Sequence, residues 1–120
     1  MRLNKSVKHY NDNLLYDSTH EFDAGVITVT LPTETKSAGT VKRGQLIYFD
    51  TTTKKYVLKK GSDGVAAVIA AEATSYAEDD TEVAVQSYLS GTFRESECLS
   101  DGKLDAEDID TLRIRNIYLK

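Results

Sequence analysis

The residues of this chain best suited to chemistry are two histidines and one cysteine. His9 and His20 lie 11 residues apart, and neither has a Cys or acidic neighbour at a zinc-ligand spacing. Cys98 has no histidine near it in sequence, although a distant one could fold against it. A half-buried structural thiol is the more common role for a cysteine in this setting. We therefore predict no metal site and no catalytic residue here.

Two acidic clusters offer the other candidate chemistry. The stretch AEDDTE, residues 77–82, could pair an acid with a base, but adjacent acids at a loop tip are usually solvated. The carboxylates between Asp101 and Asp110 lack the alternating order and final glutamate of an EF-hand. We interpret them as charges that cap and open a helix. No phosphate-binding glycine motif or G-x-S-x-G motif occurs, so we predict a non-enzymatic protein without a cofactor.

Length and charge narrow the classes of function. The chain has 120 residues, enough for one core, and carries a formal net charge of -4. Its dispersed cations argue against nucleic-acid binding. The longest apolar run, Val65 to Ala71, is far shorter than the ~20 residues of a membrane span. The first residues lack the apolar centre of a signal peptide, so we expect the protein to stay where it is made.

Two segments differ in character. Residues 1–23 show no sustained periodicity, and residues 24–120 alternate between β-prone runs and turns. The first segment is either an arm that orders on a partner or a flexible leader. Its predicted anchors are apolar or aromatic: Val7, Tyr10, Leu14, Leu15 and Tyr16.

The first strand is predicted at Val26–Leu31. Alternation puts Ile27, Val29 and Leu31 on one face and Val26, Thr28 and Thr30 on the other. An exposed loop is predicted over residues 33–40. Residues 45–49 and 54–58 form a predicted hairpin, in which Asp50 can bond the backbone beyond it.

The next two segments are predicted as strands. Residues 65–73 are apolar and alanine-rich, which fits a helix or a buried strand, and we choose a strand. Residues 81–94 alternate, and Gly91 marks a predicted bend or bulge. The predicted faces of this strand are Val83, Val85 and Leu89 on one side and Glu82, Gln86 and Tyr88 on the other.

The C-terminus is predicted to be a capped helix followed by a short strand. Asp105 is the expected N-cap, and Leu104 and Ile109 have the spacing of a hydrophobic staple. Asn116 tolerates the left-handed backbone common at helix ends. Together these elements predict a mainly β domain with one short C-terminal helix. The predicted structural anchors are Ile109, Leu112, Asn116, Ile117 and Leu119.

Four stretches resemble the head decoration proteins of tailed bacteriophages, the lambda-type capsid-stabilising family. VKRGQLIYFDTTTKKYVL is similar to the family's R-G-x-[LVI] strand and K-Y-V-like strand. DGVAAVIAAEATS resembles the family's short apolar strand that ends on an acidic residue. TEVAVQSYLSGTFRESEC resembles its alternating strand that closes on G-x-F, and LRIRNIYLK resembles its C-terminal ending. They follow one order over about two thirds of the chain. Two positions differ from the family's pattern: Asn116 stands where the family often has glycine, and Arg94 stands where we expect asparagine.

The resemblance implies a small β-barrel or β-tulip-like domain that trimerises. It implies binding to the major capsid protein at three-fold and quasi-three-fold positions outside the expanded capsid, with stabilisation against packaged DNA. It places the protein on the virion exterior after synthesis in the host cytoplasm, without a nucleic-acid or membrane partner. Residues 1–23 would be the capsid-binding arm and 24–120 the body, and the strand Val26, Ile27, Thr28 and Val29 would continue the capsid-facing surface.

Two other classes of function are also compatible with the sequence. The chain has seven tyrosines, and aromatic faces suit a neck, tail or host-attachment module that binds a saccharide or a receptor. The second alternative is a small enzyme whose catalytic groups come together only in the folded chain. Apolar residues on both faces of several strands also indicate more apolar surface than one small domain buries, which favours self-association.

Overall fold

A computed structural model of the chain describes residue 14 and residues 22–31, 38–102 and 104–120. The elements within these residues are β1 (Asp23–Thr30), β2 (Gly39–Val41), β3 (Leu46–Asp50), β4 (Lys55–Val57), β5 (Gly64–Ala70), β6 (Thr74–Tyr76), β7 (Glu82–Phe93), a short 3-10 helix (Glu95–Glu97), α1 (Ala106–Ile114) and β8 (Ile117–Leu119).

Five of these strands close into a barrel. Their order is β1-β4-β3-β5-β7, and β7 returns to pair antiparallel with β1. The β1–β4 pair is parallel, and β8 extends the sheet by pairing parallel with the end of β7. Strands β2 and β6 form a separate antiparallel pair. The predicted small, mainly β barrel domain with one short C-terminal helix is therefore confirmed.

The β3–β4 hairpin follows from its turn residues. Asp50 Oδ1 accepts the backbone N–H groups of Thr52 at 2.9 Å and Thr53 at 3.1 Å, which fixes the start of the turn. Lys54 completes it in the left-handed region, at φ 62°. The two strands pair antiparallel from Asp50 opposite Lys55 to Tyr48 opposite Val57. The predicted hairpin and the predicted role of Asp50 are confirmed.

The alanine-rich segment is a strand because neighbours cover it on both sides. β5 lies between β3 and β7, and six of its seven residues are buried. A strand covered on both faces reads as a continuous apolar run rather than an alternating one. Small side chains such as Ala66, Ala67 and Ala70 suit such a position, since neighbouring side chains fill the space. The choice of strand over helix is confirmed.

Two hydrophobic clusters pack on opposite faces of the sheet. In β3, Leu46 and Tyr48 join one cluster, whereas Ile47 joins the other. The helix-side cluster lies against α1 and β8 and contains Leu14, Leu46, Tyr48, Ala66, Ile69, Ala71, Tyr88, Phe93, Leu112 and Ile117. The barrel cluster contains Val29, Val41, Ile47, Ala67, Val68, Ala70 and Val85.

The strand pairing agrees with the predicted sides of β7: Tyr88 and Gln86 oppose Ala24 and Val26, and the Leu89 side chain lies on the side of Gly25. Side does not decide burial here, because Tyr88 is 1% exposed and Leu89 is 38% exposed. Asp23 of β1 pairs with Ser90 while Ala24 pairs with Tyr88, so Leu89 has no partner on β1. This bulge adds one residue to β7, so the alternation relative to β1 changes only from Ser90 onward.

Glycine at position 91 is required by both conformation and space. Gly91 has φ 139°, and a Cβ there would lie 2.9 Å from Phe22 Cβ and from Phe93 Cζ. Backbone and side chains therefore meet more closely than any other residue type allows. We expect a bend or bulge at Gly91 from the sequence, but β7 runs through it to Phe93 and the bulge lies two residues earlier, at Leu89.

The C-terminal segment is organised by local signals. Asp105 Oδ1 accepts the N–H of Asp108 at 2.9 Å, and Asp108 Oδ2 accepts the N–H of Asp105 at 3.4 Å, which makes a capping box. After α1, Asn116 adopts φ 65° and the chain enters β8. Among the predicted anchors, Leu112 and Ile117 are fully buried, and Ile109 and Leu119 are half-buried.

Two residues of the predicted arm pack into the body. Leu14 is 1% exposed within the helix-side cluster, and its carbonyl accepts the N–H of Arg94 at 2.7 Å. Phe22 meets Tyr88 edge to face, with ring centroids 5.1 Å apart. The division at residue 23 stays a prediction, but these two side chains act as core. The predicted loop over residues 33–40 differs at its end, where Gly39 already begins β2.

Candidate binding surface

The outward side of β1 and β7 carries an uncharged surface. Val26 is 63% exposed, and Thr28 is also exposed. Their cross-strand partners are the half-buried Gln86 and the exposed Ala84. We call these four residues, Val26, Thr28, Ala84 and Gln86, the β1–β7 face. This face carries no acid, base or thiol, and it is our candidate surface for contact with another protein.

In the part of the chain that the structure describes, one edge of β1 is open beside this face. β1 pairs with β7 over its whole length, but with β4 only through Val29 and Thr30. Within the described residues, the β4-side edge of β1 has no strand partner from Ala24 to Thr28. Unpaired N–H and C=O groups along such an edge can accept a further strand. The edge and the β1–β7 face together offer backbone and side-chain contacts.

The predicted capsid-facing strand divides into two pairs of residues. Val26 and Thr28 lie on the surface, as a contact role requires. Val29 is fully buried in the barrel cluster, and Ile27 is half-buried against it. The side chains of Ile27 and Val29 are therefore engaged within the fold. Val29 also pairs with Tyr56 and Val83 on its two sides, so of these two residues only Ile27 lies on the open edge. The capsid contact of all four stays a prediction.

Only one of the five predicted arm anchors lies within the described residues. Leu14 is a core residue in this structure, as described above. Val7, Tyr10, Leu15 and Tyr16 lie outside the described residues, as do His9 and His20. Phe22 directly precedes β1, at the start of the open edge.

A second polar centre joins the β4–β5 loop to the start of α1. Lys60 Nζ lies 2.9 Å from Oδ1 of the buried Asp108 and 3.5 Å from Oδ2 of Asp105. The backbone N–H of Lys60 donates to Asp101 Oδ2 at 2.9 Å. Sequence reasoning assigned these acids to a helix cap but missed Lys60, because no local signal links it to residues more than 40 positions later.

The contacts in this centre shift the pKa values of Lys60 and Asp105. The hydrogen bond to Asp108 raises the pKa of Lys60 above its ordinary value. The N–H of Asp108, and then the charge of Lys60, lower the pKa of Asp105. Both groups stay charged at neutral pH, and the acids are bonded to a cation of the chain. In the part of the chain that the structure describes, no group of three or more His, Cys, Asp or Glu residues could hold a metal ion.

Cys98 is half-buried beside Arg94. Its Sγ donates to the Arg94 carbonyl at 3.4 Å, and burial raises its pKa to about 12. A thiol with this pKa is neutral at physiological pH and is a poor nucleophile. The Arg94 backbone binds Leu14 through its N–H and Cys98 through its carbonyl. This corner is thus held by main-chain contacts, which accept arginine where the resemblance led us to expect asparagine.

Comparisons with known proteins add no identification. No protein-family model matches the sequence, and no curated protein matches it. Among the described residues, no helix is long and apolar enough to cross a membrane. The geometry of the surface is therefore the main guide to function.

Proposed function

We propose that the protein is a non-enzymatic head decoration protein of a tailed bacteriophage. In this proposal it binds as trimers to the outside of the expanded capsid at three-fold and quasi-three-fold positions and stabilises the shell against internal DNA pressure. Its partners are the major capsid protein and its own copies, with no nucleic acid, membrane or cofactor. The proposed location is the virion exterior, after synthesis in the host cytoplasm.

The observation that carries the proposal is the open edge of β1 beside the β1–β7 face. Val26 and Thr28 present uncharged side chains, and the strand begins directly after the N-terminal segment. An extended segment that pairs with an exposed strand gains affinity from main-chain hydrogen bonds and selectivity from alternate side chains. The N-terminal segment can make such contacts on a capsid subunit while β1 continues the same surface.

In this proposal the capsid is stabilised by many contacts of modest affinity rather than by a single tight contact. A capsid offers many equivalent sites, and a trimer engages several subunits at once. Linked contacts raise the effective concentration of each further contact, so modest individual affinities sum to durable attachment. A barrel with two buried clusters suits this role, because a stiff body transmits load between the subunits it bridges.

The positions of the tyrosines reduce support for a saccharide-binding module. Tyr48 and Tyr88 are fully buried, and Tyr56 and Tyr76 are half-buried. Among the described tyrosines, only Tyr118 is exposed, at 40%. Stacking on a sugar needs accessible aromatic faces, and this part of the chain supplies few.

Binding to undecorated shells tests the proposal. Purified protein is mixed with expanded shells, and bound copies are counted and located by electron microscopy. We expect saturation at three-fold and quasi-three-fold positions. Saturation elsewhere, or no binding, would reject the proposal.

Matched variants connect that result to the β1–β7 face. Thr28→Asp places a charge on the face, and Thr53→Asp makes the same change at an exposed turn position. Both sites are exposed, so we expect stability to change by less than about 0.5 kcal/mol in each. Thr28→Asp should weaken shell binding about tenfold, since it buries an unpaired charge, whereas Thr53→Asp should bind normally.

A further inference from the structure

The C-terminal end of α1 presents an apolar side chain between two arginines. Ile114 is 82% exposed, the highest value among the large hydrophobic residues that the structure describes as exposed. Arg113 and Arg115 flank it and are both exposed. Arg113 contacts Asp110 at 3.4 Å. Arg115 lies over the Phe49 ring, 6.0 Å from its centroid, and forms no ion pair with any described residue. We call residues 113–115 the helix-end knob.

The loop before β7 has the opposite charge. Glu78, Asp79, Asp80 and Glu82 are all exposed, and none forms an ion pair with a described residue. Asp80 Oδ2 accepts the N–H of Ala77 at 2.8 Å, which shapes the turn. The exposed Ala77 and Ala84 leave room beside these acids. We call residues 77–82 the acidic loop.

The knob and the acidic loop lie at opposite ends of β7. Glu82 starts the strand, and Gly91 near its end donates its N–H to the carbonyl of Asn116, directly after the knob. Eleven steps of about 3.3 Å span at most ~36 Å from Glu82 to Phe93. The molecule is 42 Å long. The two surfaces form no ion pair with each other among the described residues, so a second copy can supply the opposite partner.

We propose that the helix-end knob of one copy docks on the acidic loop of a second copy. Guanidinium groups form paired hydrogen bonds with carboxylates, and Ile114 would exclude water at the centre of the contact. A contact between two different surfaces of the same chain repeats head to tail, and it closes into a ring when the rotation permits. The inference rests on the proposed function only in that a ring of three copies matches three-fold positions.

Charge reversal tests the contact. The knob variant carries Arg113→Glu and Arg115→Glu, the loop variant carries Glu78→Lys and Glu82→Lys, and a combined variant carries all four. Lys54→Glu with Lys59→Glu is the control, because it changes the net charge as the knob variant does, at exposed sites elsewhere. All reversed residues are exposed, so circular dichroism and thermal melting should show every variant folded.

Sedimentation and native mass measurement give the readout. We expect the wild type to assemble into trimers of the 13.3 kDa chain as its concentration rises. The knob and loop variants should each dissociate about tenfold more readily, and the combined variant should recover most of the affinity. The control should behave as the wild type does. A wild type that stays monomeric, or a combined variant no better than the sum of its parts, overturns the inference.

Shell binding separates this inference from the proposed function. Monomeric protein that still decorates three-fold positions would refute the knob contact and retain the decoration role. Charge-dependent trimers that bind no shell would do the opposite. Weaker association at higher salt is expected as well, since exposed charges are screened within a Debye length of about 10 Å at 0.1 M.

Discussion

Leu14 should be essential to the stability of the body although it lies in the predicted arm. The side chain is 1% exposed among Leu46, Phe93 and the other members of the helix-side cluster. Leu14→Ala removes its outer carbons and leaves a cavity. Buried leucine-to-alanine changes cost about 2–5 kcal/mol, so we expect a loss of about 3 kcal/mol in the free energy of unfolding. The bond from Arg94 to the Leu14 carbonyl involves only backbone and should persist.

Two truncations locate the boundary between arm and body. Removal of residues 1–13 keeps Leu14 and Phe22, the two described core contacts of this segment, so we expect the body to stay folded and to keep most of its stability. Removal of residues 1–23 takes away the Leu14 side chain, the partner of the Arg94 N–H and the edge-to-face contact of Phe22 with Tyr88. With about 3, 1 and 1 kcal/mol for these terms, the loss of about 5 kcal/mol approaches the whole stability of a small domain.

Urea denaturation followed by circular dichroism measures these differences. Leu99→Ala is a matched control, because Leu99 is 44% exposed and should lose less than about 1 kcal/mol. Shell binding of the protein lacking residues 1–13 then reports on the arm without disturbing the core. Full stability of the protein lacking residues 1–23, or a loss below about 1 kcal/mol in Leu14→Ala, would refute the reasoning.

Three further predictions concern the body. Lys60→Met leaves the buried Asp108 without its cation and should cost about 2–3 kcal/mol, and adding Asp108→Asn should recover part of that loss in urea melts. The stabilisation from the lowered pKa of Asp105 is present above its ordinary value of 3.8 and should disappear as pH falls through the lower folded value, which acid titration of thermal stability can follow. Asn116 has φ 65°, a conformation that glycine accepts and a β-branched residue does not. Asn116→Gly should therefore change the free energy of unfolding by less than about 0.5 kcal/mol, and Asn116→Val should lower it by about 1–2 kcal/mol. Equal losses in the two variants would contradict this explanation.

Elements set by neighbouring residues were predictable from sequence. Asp50 fixes the β3–β4 turn through its own backbone neighbours, and Asp105 caps α1 through residues within one turn. Asn116 reverses the chain because its backbone tolerates a left-handed conformation. These interactions span a few positions, so residue type and spacing are enough to specify them.

Features that join distant segments were not predictable in this way. The bulge at Leu89 depends on the register of β7 against β1, and the burial of Tyr88 depends on its packing in the helix-side cluster. The β2–β6 pair and the parallel β1–β4 contact that closes the barrel also join segments far apart in sequence. Pairing register is set by the packing of whole faces, which a single strand does not encode.

The sequence by itself determined the β-rich body, its capped C-terminal helix and the turn into β8. Tertiary structure alone decided that Leu14 is a core residue, that Lys60 neutralises the buried Asp108, and that Val26 is exposed while Val29 is buried. The physical reason is the range of the interactions. Caps and turns are satisfied within one turn of chain, whereas burial and charge pairing depend on which remote segments arrive at the same place.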